Sequence, residues 1–586
     1  MLDKIKSLRG ALFRRLVEKQ QSKVKAEIKE KEDLPEFEFK KSTRIVELPA
    51  PTDPSKINIT YPLIEPFAYA NIKWNTETKE LIYARVEPAL TEEEKATFKR
   101  ISETLIDLVD VNLSGMKEAS KIMEYLERQV NKIVKDSDLI LTTNQYAKIM
   151  YYIYRNFVGY NEIEVFLQDP NIEDISCDGT KTPIYIMHRK YGSLKTNLIY
   201  ENVDELREFL VKLAERTGRY VSYAEPILDG TLPDGSRVSA TLAGDVATRG
   251  PTFTIRKFSE RPLSPIEQIE LKTATTEMMA YLWYLVEQGA SMLIIGGVAT
   301  GKTSLLNSIS MFIQPEAKIV SIEDTRELRL PHEHWIAGLS RAGFGIPTPT
   351  GQKYGEVSLF DLLKESFRQN PDYVIVGEVR GVETYVMFQG MSSGHPSLST
   401  FHAGSIDSMI KRLTTPPINL APTLLESLDV VATMTHAKEK TQSARRINEI
   451  SEIVSVDTNT GDVKTNIIFR WDPVTDSYAK VSESTKVEKV TLAKGGDVDG
   501  ARREIGRRQN VLEWMVRNKI KDYSDVTKLI RQYYKEPNKV LQMVGEMPVA
   551  EKTAEKPQAV EVAKEERPKR VSLLDLLGLM VGREKA

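Results

Sequence analysis

From Thr273 onward, short apolar runs alternate with stretches of helical period: "SMLIIGG", "AKIVSIED", "PDYVIVGE" and "LDVVATM" each hold a short, mainly apolar run. A run of that kind fits a strand buried on both faces, as in a parallel sheet covered by helices. The pattern therefore predicts a doubly wound α/β core. Upstream the period changes. Between Thr91 and Val158, apolar residues recur at Ile101, Leu105, Leu108 and Val109, then at Ile122, Tyr125, Leu126, Val130 and Ile133, and Tyr146 to Tyr154 continue the spacing. This predicts a helical subdomain. The short runs "IEDISCDG", "PIYIMH" and "TFTIRKF", with a predicted helix from Val203 to Thr217 among them, read as a small α+β sheet. After the core, Val454 to Lys480 alternates around "DTNTGD" as a hairpin would, and Ala501 to Met543 returns to helical period.

Composition shifts supply the boundaries. Ile28 to Thr60 is charged and proline-punctuated, so folded structure is expected to begin near Tyr61. The prolines of "KFSERPLSPIEQ" mark a hinge linker. The expected order is a basic start and charged linker over 1–60 and an amino-terminal domain over 61–258. A hinge linker over 259–272, a nucleotide-binding domain over 273–545 and a flexible tail over 546–586 follow. In the first segment, Leu2, Ile5, Leu8, Leu12 and Leu16 share a helical face with Lys4, Lys6, Arg9, Arg14 and Arg15 elsewhere. That suits contact of residues 1–20 with an anionic membrane surface, or packing on the protein itself. The tail ends in "VSLLDLLGLMVG", a candidate apolar docking helix.

No apolar run reaches bilayer-spanning length and the start lacks the apolar core of a signal peptide, so a cytoplasmic location is expected. The net charge of -2 argues against a protein whose whole body is a nucleic-acid footprint. The single cysteine, Cys177, excludes an internal disulfide and an all-cysteine zinc site, and reads as packing.

The chemistry begins in "GGVATGKTS". Gly296, Gly301, Lys302 and Thr303 stand in the order G-x-x-x-x-G-K-T, after an apolar strand and before a helix, with Gly297 and Ser304 completing the turn. Glycines let successive N–H groups converge, the helix adds its positive end, and the lysine reaches phosphate oxygens. ATP is the expected ligand, with Mg²⁺ on the Thr303 hydroxyl. Two later strands end in acidic residues, Glu323 with Asp324 in "VSIEDTREL" and Glu378 with Arg380 in "YVIVGEVRG". Carboxylates there can order metal-bound water or orient an attacking one. Gly377 stands where an aspartate usually precedes such a glutamate, which moves the metal toward Thr303 and the Glu323–Asp324 pair, with Asp324 a further metal candidate. In "GHPSLSTFHAGS", His402 reads as a neutral sensor of the terminal phosphate, and the His332/His334 pair reads as a loop feature.

Together "GGVATGKT", "IEDTREL", "VIVGEVR", "GHPSLSTFHAGS", "DGTLPDGSRVSAT" and "TFTIRKF" resemble the type II/IV secretion and type IV filament assembly ATPase superfamily over roughly residues 140 to 480. "DPNIEDISCDG" and "PIYIMHRKYGSLKTN" look like its archaeal branch of archaellum motors and pilus ATPases. The resemblance implies a RecA-like ATPase core behind a sheet domain, a homohexameric ring, and a membrane platform protein as partner at the cytoplasmic face. It places Glu378 on the catalytic glutamate, Glu323 on the acidic-box glutamate and His402 on the sensor histidine. Arg237 and Arg256 fall on arginines that reach the nucleotide phosphates. The four-cysteine zinc subdomain of many bacterial members is absent. A ring-shaped nucleic-acid translocase would share the core but should show a basic, aromatic-laced channel, and no such cluster is seen, so no nucleic acid is expected. A nucleotide-gated scaffold would lack a competent glutamate.

Overall fold

The computed structural model describes residues 37–545, apart from 43–45, 47, 50–52, 109–118, 243–245, 259–260, 342, 344–348, 350–352, 439–442 and 458–461. The amphipathic start and the apolar tail lie outside the described residues.

Two sheets organise the chain. The first has ten strands: β1 (Lys40–Lys41), β2 (Asn58–Glu65), β3 (Ala68–Asn75), β4 (Glu80–Val86), β5 (Ile172–Cys177), β6 (Pro183–His188), β7 (Gly192–Ile199), β8 (Ile227–Thr231), β9 (Arg237–Thr241) and β10 (Thr252–Arg256). Their order is β1-β2-β3-β4-β7-β6-β5-β10-β9-β8, antiparallel except for the β4/β7 pair. Helices Glu92–Leu108, Ala119–Asp136, Thr143–Ile153 and Val203–Arg216 join this core through Ile101, Leu126, Ile149 and Leu213, all buried. Cys177 is buried here, and burial pushes its thiol up to about 11, which keeps it protonated and inert at neutral pH.

Structure starts earlier than Tyr61. Phe39 packs on Tyr154 with ring centroids 4.4 Å apart, Phe37 on Phe67 at 5.5 Å, and β2 begins at Asn58. The β2–β4 meander precedes the helical subdomain and was not anticipated from the helix-like spacing that follows it. Its strands mix buried and half-exposed positions and include Pro62 and Lys73, so their alternation is weak.

The second sheet carries β11 (Met292–Gly296), β12 (Ile319–Glu323), β13 (Trp335–Leu339), β14 (Tyr373–Val379), β15 (Ser397–Phe401), β16 (Val430–Lys438), β17 (Ser443–Val456), β18 (Val463–Asp472) and β19 (Ser477–Lys480). The order is β13-β12-β14-β15-β11-β16-β17-β18-β19, parallel as far as β16 and antiparallel beyond. All four apolar runs noted above are strands of its parallel part. β15 is the surprise, because every residue of "SLSTF" is buried although three are polar. Their hydroxyls find backbone acceptors: Thr400 Oγ1 donates to the Gly377 carbonyl at 2.7 Å and Ser397 Oγ to that of His395 at 3.1 Å.

Within the stretch read as a linker, Pro265–Glu270 forms a helix started by a capping box between Ser264 and Glu267. Ile266 is buried in the core of the second sheet and Ser264 Oγ donates to the Lys521 carbonyl at 2.7 Å. That helix is therefore anchored to the second core. Helices Val498–Arg517 and Tyr523–Lys535 cover the same core through Val511, Leu512, Met515 and Ile530.

Candidate active site at the strand ends of the second sheet

β11 is apolar and fully buried because it lies between β15 and β16 under helices on both faces. At Gly296 the backbone passes so close to its neighbour that a Cβ would stand 2.7 Å from the Met434 carbonyl oxygen. The chain then turns through Ala299 (φ 58°) and Gly301 (φ 91°) into the helix Lys302–Ser310. No side chain caps that helix, so its first N–H groups are left for a ligand in the loop.

Lys302 is buried, and its Nζ donates to the carbonyls of Gly297 (2.7 Å) and Gly296 (3.2 Å). Burial holds its pKa below the usual lysine value. The ammonium lies 3.4 Å from His402 Nδ1, and His402 Nε2 lies 3.5 Å from Glu378 Oε1. Burial first, then the Lys302 charge, lowers the His402 pKa against the pull of Glu378, so the ring is neutral at pH 7. With Nδ1 accepting from the ammonium, the neutral ring carries its proton on Nε2, which faces the carboxylate without a formed hydrogen bond. The Arg412 guanidinium grips the His402 carbonyl and fixes the segment after β15. Lys302, His402 and Glu378 thus form a line from the floor of the loop to a half-exposed carboxylate.

The other predicted residues take different places. Glu323 is 3% exposed, and its Oε1 accepts the backbone N–H groups of Glu327 and Leu328, both at 2.8 Å. Its Oε2 has no partner, and burial pushes the carboxyl up to about 7. Gly377 is explained by the same contact, since a Cβ there would meet Glu323 Cγ at 3.1 Å. Asp324 is held by Arg380 and accepts from Ser340 Oγ at 2.8 Å. Glu327, passed over in the sequence because it reads as one more surface acid, acts by charge on both Lys302 and Arg237. Its signal was its place four residues after Glu323, on the turn that Glu323 caps. Arg237 and Arg256 are paired neighbours across β9 and β10. Arg237 is bound by Asp229 at 3.0 Å and Arg256 by Asp174 at 3.3 Å, and Arg237 feels the charges of Asp324 and Glu327. Thr303 and Ser304 occupy the first turn of the helix. His332 Nε2 lies 3.0 Å from the Ile313 carbonyl, in keeping with a structural role.

The raised Glu323 carboxyl has a consequence for stability. Between the ordinary carboxylate pKa and about 7 the folded state keeps a proton that the unfolded chain has lost, so stability falls as pH rises through that window. Glu323→Gln never carries the buried charge. Its melting temperature relative to wild type is expected to climb from pH 5 to pH 8, a gain of order 1–3 kcal/mol at the alkaline end. A difference that stays flat across that range in calorimetry would place the charge elsewhere.

A glycine loop on the central parallel strand, with an uncapped helix beyond it and acidic strand ends beside it, makes this a P-loop nucleotide-binding protein. Comparison with known sequences carries the assignment further. A profile described as "Type II/IV secretion system protein" matches residues 170–560, and the chain belongs to that family. An uncharacterized protein of Methanocaldococcus jannaschii is 36% identical over 86% of this chain and 92% of its own length. The type IV secretion system protein PtlH of Bordetella pertussis is 31% identical over 36% of this chain and 67% of its own. Among solved structures, the Legionella pneumophila ATPase DotB is 18% identical, covering 62% of this chain and 92% of that one with a TM-score of 0.34.

Proposed function

We propose that this chain hydrolyses ATP as a hexameric motor that drives assembly or rotation of a type IV filament, or protein secretion, from the cytoplasmic face of a membrane. The observation that carries the reading is the Lys302–His402–Glu378 line at the mouth of the glycine loop. Lys302 is positioned to exchange its two carbonyl contacts for phosphate oxygens. Glu378, half-exposed at the end of β14, is the group placed to orient and polarise a water for attack on the terminal phosphate. His402, lying between them, registers which state the lysine and the glutamate are in. Glu323 positions Glu327 through the turn it caps, and Glu327 faces both Lys302 and Arg237 electrostatically.

The loop fits a nucleotide: it leads into a helix that no described side chain caps, and its lysine is held by two carbonyls and His402 Nδ1, contacts that a phosphate can displace. Among the described residues no three His, Cys, Asp or Glu side chains converge as a metal site. Thr303 would hold Mg²⁺, with Asp324 a second candidate once released by Arg380, and the ion would neutralise phosphate charge. Arg237 and Arg256, now held by Asp229 and Asp174, would reach the phosphates when the two sheets close on one another, coupling hydrolysis to movement. Among the described residues no helix is long and apolar enough to cross a membrane.

The experiment is ATP turnover of purified protein against concentration, with particle mass recorded and with DNA added. Turnover that rises as hexamers form and ignores DNA is expected. Monomeric turnover, or strong stimulation by DNA, favours the ring-shaped translocase instead.

A further inference from the structure

The hairpin of β16 and β17 stands on the flank of the glycine loop opposite His402, because β11 has β15 on one side and β16 on the other. Three of its residues touch the loop. The Met434 carbonyl lies against Gly296, His436 Nε2 is 3.2 Å from the Val298 carbonyl oxygen, and Arg445, paired directly across from His436, packs its stem on Gly301. That contact is close, since a Cβ at Gly301 would meet Arg445 Cδ at 3.0 Å.

Strand alternation sends neighbouring arginines to opposite faces. Arg446 turns inward, is 1% exposed, and binds both carboxylate oxygens of Asp476 at 2.8 and 3.0 Å. Arg445 turns toward the loop and is half-buried, and among the described residues no carboxylate pairs with its guanidinium. A partly desolvated cation without a counter-charge is costly unless an anion completes it. The glycine loop and the uncapped start of the helix Lys302–Ser310 lie directly beside its stem.

We propose that Arg445 is a phosphate-binding residue of the nucleotide site, reaching the diphosphate common to ADP and ATP from the hairpin side. This rests on the nucleotide-hydrolysing reading above and adds to it a residue outside the sequence motifs. Arg445 and Glu378 flank β11 on opposite sides, so the arginine should set affinity and not the chemical step.

Calorimetric binding of ADP to the full chain, compared with Arg445→Gln, tests this. A charge-assisted hydrogen bond predicts ADP affinity and KM for ATP weakened about 10- to 100-fold with kcat unchanged. Arg445→Lys should recover part of the loss, and adenosine binding should not change. Arg445→Met keeps the stem on Gly301 and serves if the glutamine variant does not fold. A measurement on wild type needs no variant: ADP, but not adenosine, should shield Arg445 from phenylglyoxal in mass-spectrometric mapping. If wild type binds ADP while Arg445 stays reactive, or Arg445→Gln binds ADP normally, the inference falls and the motor reading stands. If wild type binds no ADP, both fall.

Discussion

Glu378→Gln is expected to lower ATP turnover by about 10²- to 10⁴-fold, the usual contribution of a positioned acid–base group, while ADP binding changes little. Glu378 stands near the end of β14 within the register shift between Val376 and Val379, where it leaves the buried ladder. Glutamine keeps the shape and the place beside His402, so the contact of His402 with Lys302 survives. What it loses is the charge that polarises a water. Turnover and binding measured together separate this from a folding defect. A variant that hydrolyses ATP at more than a tenth of the wild-type rate would move the water-orienting role to Glu327, the other acid that acts on Lys302.

Trp283→Ala should be the most damaging core substitution, at about 3–5 kcal/mol. Trp283 is fully buried on the helix Thr276–Glu287 and stacks on Phe312 with centroids 5.2 Å apart and planes 7° from parallel. Tyr533 and Tyr534 meet its edges, the Arg508 guanidinium lies 5.1 Å from its ring, and its Nε1 donates to Tyr534 Oη at 2.9 Å. Removing the ring opens a cavity and leaves Tyr534 and the buried Arg508 without that face. Urea unfolding with limited proteolysis should show residues 498–544 released first. Trp283→Phe, which keeps most of the volume, should cost less than half as much. Equal losses for both would locate the effect in the indole hydrogen bond.

The motifs were legible where chemistry is tied to local spacing. A loop of the form G-x-x-x-x-G-K-T predicts its own conformation, since the two glycines sit where a close approach to Met434 and a φ of 91° demand them. The apolar strands were legible for the same reason, because a strand buried on both faces is built mainly from apolar side chains. β15 was not, since its serine and threonine hydroxyls are satisfied by backbone carbonyls, two of them local and one, that of Gly377, on the neighbouring strand. The hinge was placed too broadly because a capping box and a proline at the first helical position read as a break, whereas Ile266 anchors that helix to the second core.

The sequence by itself determined the P-loop class, the α/β core, the strand that carries the lysine and the acidic strand ends, because each depends on residues close together in the chain. Only the tertiary structure decided what those residues touch. Glu323 became a buried cap for the turn bearing Glu327, Asp324 a partner of Arg380, and Arg445 a charge at the loop that no carboxylate pairs with among the described residues. The reason is physical: burial and counter-charge depend on segments brought together by strand order, and residues 301 and 445 meet only because β16 lies next to β11.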